Sequence, residues 1–409
     1  MALSHKGWLG ERIKGRNLEV GVCATAASGF LLFGYDQGVM SGIITEPLFL
    51  KQFPQMEPKN KSGAIQALVV AIYEIGCLIG SILIICYGDK LGRRRAVLIG
   101  TLIMLAGTAI QAAVVTGIGN GMNTSSIPVW QSEMAPPKTR GFLVLFEGAL
   151  ITGGIMVSYW YASLPLPPPS FPTTPTTDSA NTRLNYGFWF VNQNSFQWRF
   201  PLAFQAVFGF ILIGGILLFP ESPRWLLKHG RDDDALHILA NLHSTTVDDA
   251  ELLRDVDEIK KVNAITTGRR LTVKEFFSNG PEKNGWRAGV AFASQAFQQI
   301  GGINLVTYYA TTVFETSLSF SPELSRLMSG FLGTEYFLAA VLALFIVDRL
   351  GRRRLMMWGA LGMALCPLII GICLSQTTPS YRAPAYAATV FIFVYNTCFA
   401  VGWLGVTWL

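Results

Sequence analysis

From Gly63 to Tyr87 the chain carries only Gln66 and Glu74 as strongly polar side chains. A stretch of that length matches the roughly 20 apolar residues that a helix needs to cross a bilayer core. A soluble helix would need a polar face over the same distance. Comparable apolar runs recur along the 409 residues, so the charged fraction is 14% against 51% hydrophobic. A soluble protein carries about a quarter of its residues as charges. The mean hydropathy of +0.39 agrees with a membrane protein. The net charge of +6 would by itself admit a nucleic-acid partner. The basic residues sit at the ends of apolar spans, however, which is the positive-inside pattern, and no nucleic acid is expected. Cys23, Cys77, Cys86, Cys366, Cys373 and Cys398 all fall inside apolar runs. They read as small buried hydrophobes, with no disulfide or zinc framework. No cofactor and no metal site is expected.

Residues 1–18, with Lys6, Arg12, Lys14 and Arg16, form a polar N-terminus expected to stay cytoplasmic, ahead of an uncleaved first span at 19–42. A second span is expected at 64–87, and the intervening Asn60-Lys61-Ser62 is a glycosylation triplet if that side is extracellular. Gly88 to Arg95 reads as a cytoplasmic loop by its charge. Residues 96–137 contain Glu133 as their only charge and have basic flanks on both sides. An even number of crossings follows: a hairpin with almost no outer loop, or two short tilted helices. A fifth span at 141–162 precedes a Pro/Thr-rich insert at 164–183, expected to be an external, disordered loop. A sixth at 200–219 completes a first membrane half, 19–224. The charged segment 225–284 reads as a cytoplasmic linker with short amphipathic helices. A second half, 285–409, holds spans at 286–313, 326–347, 355–375 and 384–409. The sequence stops at Leu409 within an apolar run, so this half is expected to be incomplete, with about ten transmembrane helices in all.

Asp89-Lys90-Leu91-Gly92-Arg93-Arg94-Arg95 is echoed by Asp348-Arg349-Leu350-Gly351-Arg352-Arg353-Arg354. Each copy follows the second span of its half, which implies a duplicated half. Parallel halves about an axis along the membrane normal, with substrate at the midplane between them, are expected. Gly92 and Gly351 permit a tight turn. Asp89 and Asp348 can accept hydrogen bonds at a helix terminus, and Arg93, Arg94, Arg352 and Arg353 can form forked pairs with carboxylates on neighbouring helices. Glu133 and Glu221 are the natural partners in the first half, with Arg140 and Arg224 at the same membrane face. The partners of the second copy are expected after the tenth span. The arrangement reads as a cytoplasmic latch.

With these loops, Phe33-Gly34-Tyr35-Asp36-Gln37-Gly38, Pro220-Glu221-Ser222-Pro223-Arg224-Trp225-Leu226 and Gln298-Gln299-Ile300-Gly301-Gly302-Ile303-Asn304 resemble the sugar porter family of the major facilitator superfamily. Trp130-Gln131-Ser132-Glu133 and Gly333-Thr334-Glu335-Tyr336-Phe337 resemble its fungal members, which carry hexoses, disaccharides or polyols, often with a proton. The resemblance implies a major facilitator fold of two six-helix-type halves and a substrate site at Gln298, Gln299, Asn304, Tyr308, Phe33, Phe399 and Trp408. Side-chain amides suit a sugar because, like hydroxyls, they both donate and accept without net charge. Gln295, Gln298 and Gln299 share one helical face, and a break at Gly301-Gly302 can bring Asn304 round to it. The alternative use of these amides is hydrogen bonding between helices. Phe399 and Trp408 match aromatic positions that stack on sugar rings.

Asp36 is costly when charged inside an apolar span, so it should be protonated or paired. The resemblance implies a proton site there, answered by an Arg at the start of the fourth span. Here that span begins Val114-Val115-Thr116-Gly117 with no Arg before it. Glu147 is a second carboxylate inside a span and an alternative partner. The resulting expectation is a non-enzymatic transporter of a sugar, working by alternating access and coupled to protons through Asp36. It should be a monomer in the lipid bilayer, with the plasma membrane as its location. A polyol or glycerol symporter, an uncoupled facilitator, a sugar sensor and a non-functional truncated product are the alternatives.

Overall fold

The computed structural model describes residues 7, 12–44, 47–56, 63–110, 113–136, 139–163, 196–267, 283–377 and 382–408. Among them every regular element is helical. The first half contains α1 (Arg16–Ile43), the short α2 (Pro47–Gln52), α3 (Gly63–Leu91), α4 (Arg93–Ala109), α5 (Ala113–Met134), α6 (Arg140–Ser163) and α7 (Phe196–Leu218). Three linker helices follow: α8 (Pro223–Lys228), α9 (Asp232–His243) and α10 (Ala250–Thr267). The second half contains α11 (Asn284–Ile300), α12 (Ile303–Thr312), α13 (Pro322–Leu350), α14 (Arg352–Gln376) and α15 (Ala383–Phe399).

Seven described helices are long and apolar enough to cross a membrane: α1, α3, α6, α7, α13, α14 and the α15 segment to Leu404. The expected hairpin over 96–137 is the helix pair α4 and α5, separated by residues 110–112 alone. Over the apolar windows of α3 and α14, only 18% and 17% of residues are buried inside the protein. Ile85 and Trp358 are 81% and 71% exposed. Apolar surface on that scale fits helices that face lipid. The Asn60–Ser62 triplet and the 164–183 insert lie outside the described residues.

Several expectations need correction. The two Arg-rich segments are not loops. In each, two helices meet at one glycine, Gly92 at φ 85° and Gly351 at φ 83°. Helical hydrogen bonding continues through Asp89 and Asp348 because nothing before the glycine forces the chain out of it, whereas positive φ is accessible chiefly to glycine. The span 286–313 is two helices, since Gly302 (φ 92°) ends α11 and opens α12, and a π-helical turn then extends it over Val313–Ser317. The last span is likewise α-helical only to Phe399, then π-helical over Ala400–Leu404. Among the cysteines, all free, only Cys77 and Cys366 are buried, while Cys86 is exposed on α3.

The first half is packed through close backbone approaches. A Cβ at Gly34 of α1 would lie 1.8 Å from the Ile151 carbonyl oxygen, and one at Gly154 of α6 would lie 2.2 Å from that of Leu31. Small residues at such crossings let membrane helices touch where no hydrophobic effect drives them together. The linker helices are amphipathic, with Leu226, Ala235, Ile238, Leu252 and Val256 buried in one cluster with Leu18, Val22 and Trp130 of the first half. The two halves meet where α6 runs along α13 and where α12 lies on α1.

Candidate functional site

At the Arg-rich end of the first half, the side chains form a connected set. Arg93 forks onto Glu133, with Nε to Oε2 and Nη2 to Oε1 both at 3.2 Å. Asp89 accepts from Lys228 of α8 at 2.6 Å and lies 3.9 Å from Arg93, while its backbone carbonyl accepts from Trp225 Nε1 at 2.7 Å. Glu221 receives backbone donors. Its carboxylate accepts the backbone N–H groups of Arg93 (3.1 Å), Arg94 (3.2 Å) and Ser222 (3.0 Å), so it caps the N-terminus of α4, where the helix dipole favours an anion. Arg94, 3% exposed, donates to the carbonyls of Ile216 (2.8 Å) and Leu217 (3.2 Å) at the C-terminus of α7. Those carbonyls have no helical partner and carry the negative end of the dipole, so they suit a guanidinium, and Arg94 also interacts electrostatically with Glu221. Burial pushes the Glu221 carboxyl above the usual range, against the pull of its N–H donors. Arg140 donates to the Ala135 carbonyl at 3.1 Å, and Arg224 is exposed. In the second half Asp348, Gly351, Arg352 and Arg353 are all exposed.

The amide cluster divides in two at the helix break. Gln298 is 4% exposed and donates to the carbonyls of Trp403 (3.1 Å) and Leu404 (3.3 Å) in the π-helical turn. Gln295 donates to Thr407 O at 3.3 Å. These two therefore bind helix to helix, and for Gln298 the acceptors are carbonyls that a π turn leaves without their usual α-helical donors. On the other side, Asn304 Nδ2 donates to Gln299 Oε1 at 2.8 Å, with Gln299 exposed and Asn304 half-buried. The Gly301 carbonyl at the break accepts from Tyr395 Oη at 2.7 Å. The break thus joins Gln299 to Asn304 and holds Gln298 apart from both. Phe33 is half-buried. Phe399, 2% exposed, packs on Tyr336 with ring centroids 6.3 Å apart. Trp408 closes the final turn, and its side chain lies outside the described residues.

Asp36 is 7% exposed. Its Oδ2 accepts from Asn120 Nδ2 at 2.8 Å and from Tyr73 Oη at 3.3 Å, and the same amide nitrogen reaches Tyr73 Oη at 2.6 Å. Oδ1 has no hydrogen-bond partner among the described residues. Every group holding the carboxyl is neutral, and Asn120 of α5 supplies the donor where the resemblance calls for an Arg. Glu147 is not among the groups that donate to Asp36, which are Asn120 and Tyr73. It is 4% exposed on α6, one turn before the Ile151 that meets Gly34 of α1. Tyr308 lies one turn along α12 from Asn304. Its hydroxyl donates to Glu74 of α3, across the contact between the halves. Tyr73, Glu74 and Asn120 were absent from the sequence reading of the site. Glu74 carried a usable signal, being the one charge in the Gly63–Tyr87 run.

A bundle of apolar helices in two halves, with a buried carboxyl held by an amide inside the first, fits the architecture of a secondary transporter. The profile of the family described as "Sugar (and other) transporter" matches residues 22–164 and 181–409, and the chain belongs to that family, within the major facilitator superfamily. It is 33% identical to the major facilitator superfamily transporter mfsA of Aspergillus fumigatus, over 97% of this chain and 72% of that protein. It is 31% identical to the sugar transporter STL1 of Saccharomyces cerevisiae, over 97% and 68% respectively. Among solved structures it is similar to the proton:xylose symporter XylE bound to 6-bromo-6-deoxy-D-glucose. That likeness has a TM-score of 0.75 and 26% identity, covering 96% of this chain and 81% of that one. The protein is a multi-pass membrane transporter of the sugar porter type, not an enzyme.

Proposed function

We propose that the chain carries a sugar across the membrane by alternating access, coupled to a proton held at Asp36. In this reading the halves 19–224 and 285–409 rock about the seam while the 225–284 helices join them. The Asp89–Arg93–Glu133 set and the Glu221 and Arg94 caps hold the Arg-rich face, with Arg140 and Arg224 beside them and Asp348 to Arg353 as the counterpart. Gln299 and Asn304 offer the sugar their paired amides, Gln298 sets the position of their helix, and Phe33, Phe399 and Trp408 are the aromatic candidates. The protein would act as a monomer in the plasma membrane.

The observation that carries the coupling is Asp36 itself, a buried carboxyl with neutral partners and an unpaired oxygen. Without a cation to hold it charged, its protonation depends on what the neighbouring dipoles supply. XylE, a proton:xylose symporter by description, supports the same reading. The neutral Asn120 favours one competing reading, uncoupled facilitation. Uptake of radiolabelled hexoses and glycerol into transporter-null cells, with and without a proton uncoupler, separates the two. Coupled transport predicts accumulation that the uncoupler abolishes, and facilitation predicts equilibration that it leaves unchanged.

A further inference from the structure

The two halves differ at one matched position. Gly76 and Glu335 each stand thirteen residues before the aspartate of the repeated motif, Asp89 in the first half and Asp348 in the second. At Gly76 the missing side chain lets α3 seat on α5, since a Cβ there would lie 2.4 Å from the Val114 carbonyl oxygen. At the matched place in the second half a carboxyl stands between α13 and α15. Its Oε1 accepts from Thr397 Oγ1 of α15 at 2.5 Å, while Oε2 is buried with no hydrogen-bond partner among the described residues. Glu335 also lines a cavity of about 660 Å³, whose walls include Met328, Phe331, Leu338, Leu342 and Phe393.

Phe331, Leu338 and Leu342 are exposed, so the cavity is a groove open on the lipid side of α13. Trp160 of α6 borders it, with its ring edge-on to Phe331 at 5.4 Å and its Nε1 donating to Thr334 Oγ1 at 2.7 Å. Glu335 stands midway along the 29 residues of α13, about 20 Å from either end by helical rise. A carboxyl at that depth is costly and marks a place where something pairs with it. No Lys, Arg or His occurs between Leu327 and Val347 of α13, along Ala383–Phe399 of α15 or along Gly141–Ser163 of α6. The titratable side chains that feel Glu335 are Tyr336 on its own helix and Cys398 on α15, neither of them a cation.

We propose that this groove binds a lipophilic amine from the membrane, with its ammonium on Glu335 and its apolar chain along Phe331, Leu338 and Leu342. The unpaired oxygen calls for a donor, and walls without a cation favour a donor that brings its own charge. The rings of Phe331 and Phe393 suit an ammonium as well. The last torsion of a Glu side chain is broad, so the carboxyl can turn Oε2 toward the groove as the ammonium arrives while Thr397 stays beside it. The volume is in the range of small-molecule sites. A phospholipid amine is held at the headgroup level, too far from the midpoint of α13 to reach it. The site stands apart from sugar transport and from coupling at Asp36.

The test is equilibrium binding of tritiated dodecylamine to the full chain in lipid nanodiscs, read by scintillation proximity against empty nanodiscs. Neutral pH is used, where an alkylamine is charged as lysine is. Wild type should bind the amine saturably. Unlabelled dodecylamine should displace it about tenfold better than dodecanol, the margin between a charged and a neutral hydrogen bond. Glu335→Gln, which keeps an acceptor for Thr397, should lose that margin. Leu338→Trp, which fills the groove and leaves the carboxyl in place, should abolish binding, and Asp36→Asn should leave it intact. No saturable binding in wild type, equal displacement by the alcohol, or binding unchanged in either groove variant would overturn the proposal, as would loss of binding in Asp36→Asn alone. Should Glu335→Gln not fold, Leu338→Trp set against Asp36→Asn decides.

Discussion

The two glycines of the repeated motif share a backbone conformation but not an environment. A Cβ at Gly92 would come within 2.9 Å of Glu221 Oε2 and 3.2 Å of the Trp225 ring, whereas at Gly351 nothing lies within 4 Å. Both substitutions incur the positive-φ cost of about 1 kcal/mol. Only Gly92→Ala also displaces the Glu221 cap. Thermal unfolding in detergent should therefore show Gly92→Ala with the larger loss, by a further 1 kcal/mol or about that. Equal losses would mean that Glu221 is not held against Gly92. The sequence showed both glycines and their turn, since spacing and repetition are visible in one dimension. It did not show that Arg94 reaches carbonyls and Glu221 reaches amides, because those partners are backbone groups that every residue carries.

At the scale of elements, the cap and the break make separate predictions. Burial raises the Glu221 carboxyl, so a neutral acceptor should serve nearly as well. Glu221→Gln keeps an oxygen for the N–H groups of Arg93 and Arg94 and should melt close to wild type. Glu221→Ala leaves them buried and unpaired at a cost of about 1–3 kcal/mol. At the break, Gly302→Ala strains a φ of 92° and should weaken sugar binding by separating Gln299 from Asn304. Ligand-dependent protection from thermal unfolding measures that, and unchanged protection would remove the amide pair from the site. The Gly-Gly pair made the break legible in advance. The burial of Gln298 against a π turn was not, since a π turn carries no periodicity of its own and the helical face of Gln295, Gln298 and Gln299 looks uniform until it meets a partner.

Across the whole molecule, apolar run length and charge placement were enough to read a polytopic helical bundle, and the repeat was enough to read two related halves. What a single chain could not display was which residues distant in sequence become neighbours: Asp36 with Asn120 inside the first half, and Glu74 with Tyr308 and Ser41 with Thr311 across the seam. Asn120 sits amid small residues on α5 and gave no sign that it would meet a carboxyl. Its presence narrows the central claim to a carboxyl that binds a proton without a cation beside it. Sugar accumulation driven by an imposed inward proton gradient in proteoliposomes tests that claim most directly, with wild type set against Asp36→Asn. Proton coupling predicts uphill accumulation in wild type that the variant loses while still exchanging sugar across the membrane; equal, purely downhill uptake by both proteins would contradict it.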